Sequence, residues 1–164
     1  MRRFDMEKML LAYELEQLLY DFAEELDLRE AAQLEKFYAP EAVFHAGPVK
    51  VDGLEAIKGF YRNRNENVKK HQRDGQRTGR HTFLNVRVHI HDADSATLLF
   101  TNANYACEGP APASGLIGPS AIADCRMECR RQADGNWLFT EFAPKQALLG
   151  EDDFMKLMLS LNTK

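Results

Sequence analysis

Apolar residues recur at intervals of three and four through the first half of the chain and at intervals of two through the second. The change near residue 79 predicts helices first and strands afterwards. Residues 5 to about 26 predict a helix that buries Met6, Met9, Leu10, Tyr13, Leu18, Phe22 and Leu26, with Glu7, Lys8, Glu14, Glu24 and Glu25 between them. A second, short helix is expected from about Arg29 to Phe37, burying Ala31, Leu34 and Phe37 and closed by Pro40. Ala42 to His45 predicts a short strand, Gly47-Pro48 a turn, and Val49 to Val51 a second small strand. Gly53 then leads into a third helix, to about Lys70, with Leu54, Ile57, Phe60, Tyr61 and Val68 turned inward.

From His81 to His91 the alternation puts Leu84, Val86, Val88 and Ile90 on one face. His81, Phe83, Asn85, Arg87, His89 and His91 fall on the other. Asp92 to Ser95 forms a hairpin turn, and Ala96 to Cys107 is the returning strand. Ser120 to Arg131 and Asn136 to about Ala147 make a second hairpin, joined through Asp134-Gly135. The Gly- and Pro-rich segment from Glu108 to Gly115 between them is expected to be a mobile flap or a subunit contact. Asp152 to Leu161 offers one more amphipathic turn or two through Phe154, Leu157, Met158 and Leu161. Helices before strands is the α+β order, with the helices laid on one face of the sheet. The expected fold is N-terminal helices packed on a strongly curved antiparallel or mixed sheet, a cone with an internal pocket.

Composition narrows this further. A chain of 164 residues, 45% hydrophobic and 28% charged, suits a single domain with one packed core. That domain is expected over 1–164, with a core of about 10–148 and a tail or short helix over 149–164. A net charge of -4 counts against a nucleic-acid partner. The basic run Lys69 to Arg73 reads as a solvated helix end. No apolar stretch approaches the roughly 20 residues of a membrane span. The basic start Met1-Arg2-Arg3 is followed by Asp5, Glu7 and Lys8, unlike a signal peptide, so a cytoplasmic protein is expected. Three cysteines fit that compartment; Cys125 and Cys129 are expected on one face of one strand as small buried hydrophobes. His89 and His91 have a spacing a metal could use, but a hairpin end displayed to water is the preferred reading, and no metal or cofactor is expected.

Two residues invite a chemical reading. Asp27 falls between the first two predicted helices, where it would cap the second or, alternatively, face inward near Tyr20. His81 opens the long strand; a facing carboxylate would orient its imidazole and stabilise the imidazolium. Strict alternation turns His81 away from the apolar face, so a pocket role needs a polar-lined concave face near the mouth or a β-bulge before Val86.

The run Glu14 to Asp27, followed by Phe37-Tyr38-Ala39-Pro40-Glu41-Ala42-Val43-Phe44, resembles the opening of SnoaL-like proteins of the nuclear transport factor 2-like superfamily. Gly53 to Phe60 resembles their G-x-x-A-I-x-x-F helix, Arg80 to Val88 their R-H-x-x-x-N-V-x-V strand, and Asp134 to Phe139 their closing D-G-x-W-x-F. The match runs from about residue 10 to 148. Catalytic members of that superfamily, among them scytalone dehydratase, hexachlorocyclohexane dehydrochlorinase and bile-acid dehydratase, use a His–Asp pair to remove a proton beside a leaving group. The resemblance places that pair at His81 and Asp27. It implies a cofactor-independent lyase or isomerase acting on a small hydrophobic, cyclic molecule, with Tyr20 as an electrophilic hydrogen-bond donor. His45, Phe44, Asn85 and Phe60 are the expected ligand contacts. The alternative is a non-catalytic ligand-binding or assembly subunit, such as the small subunit of an aromatic-ring-hydroxylating dioxygenase. A homodimer or homotrimer is expected under either reading.

Overall fold

Asp5 caps the first helix, α1 (Met6–Leu28), its carboxylate accepting from the Lys8 N–H at 2.9 Å. The computed structural model describes residues 5–116 and 118–161. α1 turns a different stripe inward from the one the periodicity suggests. Leu11, Leu15, Leu19, Phe22 and Glu25 are buried, whereas Met6, Met9, Leu10 and Tyr13 are exposed. The helix carries enough apolar residues for two overlapping stripes, and the sheet beneath it selects one. Leu18, Phe22 and Leu26 still meet the core, so the expected face is rotated rather than opposite.

The expected second helix does not form. Glu30 and Ala31 adopt φ of 55° and 59°, in the left-handed region, and only a single 3-10 turn, Leu34–Lys36, follows. The cause is Glu25, a carboxylate only 2% exposed that accepts the Gln33 N–H at 2.7 Å and ties the chain back under α1. Asp27 lies within the last turn of α1 and caps nothing.

Six strands follow with two further helices: β1 (Tyr38–Ala46), β2 (Val49–Asp52), α2 (Leu54–His71), β3 (Arg77–Ile90), β4 (Ser95–Glu108), β5 (Ala121–Arg131), β6 (Trp137–Leu149) and α3 (Asp153–Leu161). The sheet order is β2-β1-β6-β5-β4-β3, with β1 and β6 parallel and every other pair antiparallel. Three helices on one curved, unclosed mixed sheet make this an α+β fold. Register shifts in the β1–β6, β3–β4 and β5–β6 pairs mark bulges, which bend and twist the strands that carry them.

One end of the concave face is closed by aromatic packing. Phe22 of α1 contacts Phe37, Tyr38, Phe139 and Phe142, with ring centroids between 5.3 and 6.2 Å apart. Cys125 and Cys129 are buried on the same face of β5, and burial pushes both thiols well above their usual range. At the other end α3 folds back, burying Phe154 and Met158. The start of the Gly- and Pro-rich segment is tied to β3: Gly109 N–H donates to Gln76 O, and Thr78 Oγ1 donates to Gly109 O, both at 2.9 Å. Among the described residues no helix is long and apolar enough to cross a membrane.

Candidate functional site

The strands that fill the closed end with large side chains leave space at the other. On β4 the inward series runs Leu98, Phe100, Asn102, Asn104, and on β5 it runs Cys129, Met127, Cys125, Ala123, Ala121. Where β4 turns polar, β5 becomes small. The result is a cavity of about 180 Å³, lined mainly by apolar residues including Phe44, Phe60, Phe83, Phe142 and Met158. An apolar cavity of about 150 Å³ holds a benzene molecule, so this one suits a single substituted ring.

His81 reaches the cavity because β3 carries the bulge that its alternation requires. Leu84 pairs with Thr101 and Arg87 with Leu99, so Asn85 and Val86 together oppose one residue of β4. Asn85 sits at φ 55°, a left-handed conformation that asparagine tolerates better than other non-glycine residues. Before the bulge His81 and Phe83 face the cavity; after it Val86, Val88 and Ile90 face the core. Leu84, expected on the core face, is exposed.

Asp27 holds His81 twice. One carboxylate oxygen accepts the His81 backbone N–H at 2.8 Å, and the other lies 2.6 Å from Nδ1. A carboxylate only accepts, so Nδ1 carries a proton, and in the neutral ring Nε2 is the nitrogen that keeps its lone pair. The Asn104 amide, directly across the ladder from His81, donates to Nε2 at 2.8 Å. Both side chains of the pair are largely shielded, Asp27 8% and His81 16% exposed. The arrangement is that of an imidazole oriented by Asp27 on one side and bonded at Nε2 by the Asn104 amide at the cavity wall.

Other expected site residues fall in different places. Phe44 and Phe60 line the cavity, with rings 5.2 Å apart. Tyr20 does not line it and is 43% exposed on α1, because the inward stripe of that helix is the Leu15–Leu19–Phe22 one. His45 lies on the opposite face of β1 from Phe44 and pairs with Glu141 of β6 at 2.8 Å. Asn85 is exposed and serves the bulge rather than the cavity wall. Among the described residues no group of three or more His, Cys, Asp or Glu side chains is arranged to hold a metal; His91 instead bonds Thr97 Oγ1 at 2.8 Å.

Several lining residues escaped the sequence reading. Asn102 and Asn104 were visible as polar residues continuing an apolar alternation on β4. Arg64 was visible too, four residues after Phe60 and three after Tyr61 on the inward stripe of α2. Arg77 had no such signal: its contact with Asp152, 75 residues away, depends on where α3 lands. Leu26, Arg64, Arg77 and His81 line both the cavity and a larger, more polar pocket of about 570 Å³ beside it, which Asp27, Lys69 and Pro110 also border. These four side chains stand between solvent and the cavity.

The fold recurs in solved structures. A putative scytalone dehydratase from Novosphingobium aromaticivorans superposes with a TM-score of 0.69 at 13% identity, over 89% of this chain and 90% of that one. A hexachlorocyclohexane dehydrochlorinase from Novosphingobium barchaimii gives 0.64 at 16% identity, over 90% and 93%. A Nostoc punctiforme protein described as having a cystatin-like fold gives 0.62 at 15% identity, over 88% and 95%. At such identities the likeness concerns the fold alone. No curated protein matches the sequence. The SnoaL-like domain model matches residues 7–143, which take in α1, α2 and the sheet through the first half of β6, and the chain therefore belongs to the SnoaL-like family.

Proposed function

We propose that the protein is a cofactor-independent lyase or isomerase for a small cyclic molecule, with His81 as general base and Asp27 as its orienting partner. The observation that carries this reading is the doubly bonded Asp27–His81 pair at the wall of an apolar cavity. Asp27 keeps the proton on Nδ1 and stabilises the imidazolium that forms when Nε2 accepts a second proton. In the elimination, the substrate displaces the Asn104 amide from Nε2, which then takes a proton from carbon. The C–H electron pair becomes the new double bond, and the leaving group on the neighbouring carbon departs with its own bonding pair. Asn104, freed from Nε2, is placed to donate to a substrate oxygen. In an isomerisation the same nitrogen returns the proton to a different carbon. That solved dehydratase and dehydrochlorinase structures share the fold supports this reaction class.

An assembly subunit would need an apolar surface free for its partner, and the apolar C-terminal tail is one segment that could supply it. Phe154 and Met158 of that tail are already engaged against the cavity, which favours the enzyme reading.

The test is turnover of single-ring ketones and acids that carry a hydroxyl or halide β to an acidic C–H, followed by the absorbance of the conjugated product. His81→Gln should lower kcat by roughly 10²–10⁴, the usual contribution of a general base, and Asp27→Asn should lower it comparably by disturbing the tautomer. Full turnover in His81→Gln, or none by the native protein across the panel, ends this reading.

A further inference from the structure

One cavity residue has no part in that proton transfer. Arg64 projects from the stripe of α2 that also carries Ile57, Phe60 and Tyr61, where helical spacing directs side chains to the interior. Its single side-chain hydrogen bond, to Asn65 Oδ1, is stretched to 3.5 Å, and among the described residues no carboxylate forms an ion pair with it. The second cationic residue of the cavity is different. Arg77 pairs with Asp152, donates to Gln72 Oε1 at 2.9 Å and lies over the Phe154 ring at 4.9 Å. One cation at the wall is therefore satisfied within the chain and the other is not.

A guanidinium stays charged in a protein, and Arg64, half-buried between the cavity and the outer pocket, loses part of its water with no ion-pair partner among the described residues to offset the loss. Burial pulls the Arg64 pKa down from its ordinary value, and the nearby Arg77 charge adds to that effect. The Asp27 and Glu30 carboxylates offset part of it from beyond pairing distance. One helical turn before Arg64, burial raises the Tyr61 hydroxyl to about 12, so it remains a protonated donor at neutral pH. A planar five-donor fork beside an un-ionised phenol is suited to two carboxylate oxygens.

We propose that Arg64 anchors an anionic ligand, a single-ring carboxylic acid whose carboxylate pairs with the guanidinium and whose ring lies among Phe44, Phe60, Phe83 and Phe142. The assignment rests on the proposed function only in taking this acid as the substrate of the same site. Arg64 and His81 both line the cavity and the outer pocket, so a carboxylate held at one presents the attached ring to the other. The ring itself is recognised by the aromatic walls, and a neutral molecule of equal shape would leave the guanidinium unpaired.

The test compares phenylacetate with phenylacetamide by titration calorimetry on the native protein near neutral pH, where the first is ionised and the second is neutral with nearly the same shape. The acid should bind about tenfold or more tightly, as a charge-assisted hydrogen bond implies. Arg64→Met keeps the aliphatic stem and should abolish the difference; Arg64→Lys should retain part of it. Equal affinities in the native protein, no binding of the acid, or a preference that survives in Arg64→Met overturns the proposal. The native comparison needs no variant to fold. Because the readout is affinity, the acid preference can stand with proton transfer disproved in His81→Gln, or fail with it intact.

Discussion

Asn85 decides which way His81 points, although the two side chains do not meet. It occupies a left-handed conformation at the bulge, and that one extra residue converts an outward histidine into an inward one. Glycine tolerates this conformation freely, whereas a β-branched residue is strained there by roughly 1–2 kcal/mol. Asn85→Gly should therefore keep native activity and lose little stability. Asn85→Val should unfold about 1–2 kcal/mol more easily in denaturant titration, with lower turnover as the register at His81 loosens. A valine variant as stable and active as the native protein would show that the bulge is held by something other than residue 85. The resemblance marked Asn85 within its motif, and sequence reasoning took it for a possible ligand contact; its backbone conformation, not its side chain, is what the fold uses. Asp27 is a comparable case. A carboxylate beside a predicted helix start is ordinarily a cap, and only the approach of β3, 54 residues later, makes it the partner of a histidine.

Among the elements, α1 shows how periodicity can find a helix and misplace its face. Apolar residues occur on adjacent stripes, and hydrophobic spacing alone ranks them equally. Packing breaks the tie, since Leu15 and Leu19 are fully buried and Met9 is 55% exposed. Leu15→Ala should cost about 2–5 kcal/mol by removing buried methylenes and leaving a cavity. Met9→Ala should change stability by no more than about 0.5 kcal/mol. Chemical denaturation of the two variants measures both; similar losses would return α1 to the face its spacing suggests. The segment after α1 failed for a related reason. Arg29 to Phe37 has helical composition, but the buried Glu25 carboxylate captures the Gln33 N–H and holds the chain in a reversal that no local pattern announces. The strands were more legible, because period two needs no choice of partner to be seen. Even so, β1 begins at Tyr38 rather than near Ala42, drawn into the sheet by its parallel neighbour β6.

For the whole molecule, the cavity exists because small residues of one strand face polar residues of the next. Ala123, 3% exposed, pairs across the sheet with Asn102 on one side and Gln146 on the other. Enlarging it fills space that is empty rather than occupied, so the usual cost of overpacking, about 1–3 kcal/mol, should be largely avoided. Ala123→Leu is expected to keep its melting temperature within a few degrees of the native value while weakening phenylacetate binding at least tenfold in the same calorimetric titration. Unchanged binding would place the ligand elsewhere.

By itself the sequence determined the class of fold, the order of most elements and the single core, because these depend on the period of apolar residues and on turn chemistry, which are local. It also carried the SnoaL-like motifs, and with them the identities of Asp27 and His81. Tertiary structure alone decided which stripe of α1 is buried, how β3 shifts its register at residue 85, and where α3 lands over the cavity. It also decided that Arg64 forms no ion pair among the described residues while Arg77 pairs with Asp152. Each of these is set by the meeting of segments distant in sequence, where a side chain's role follows from which neighbour arrives and not from its own position in the pattern.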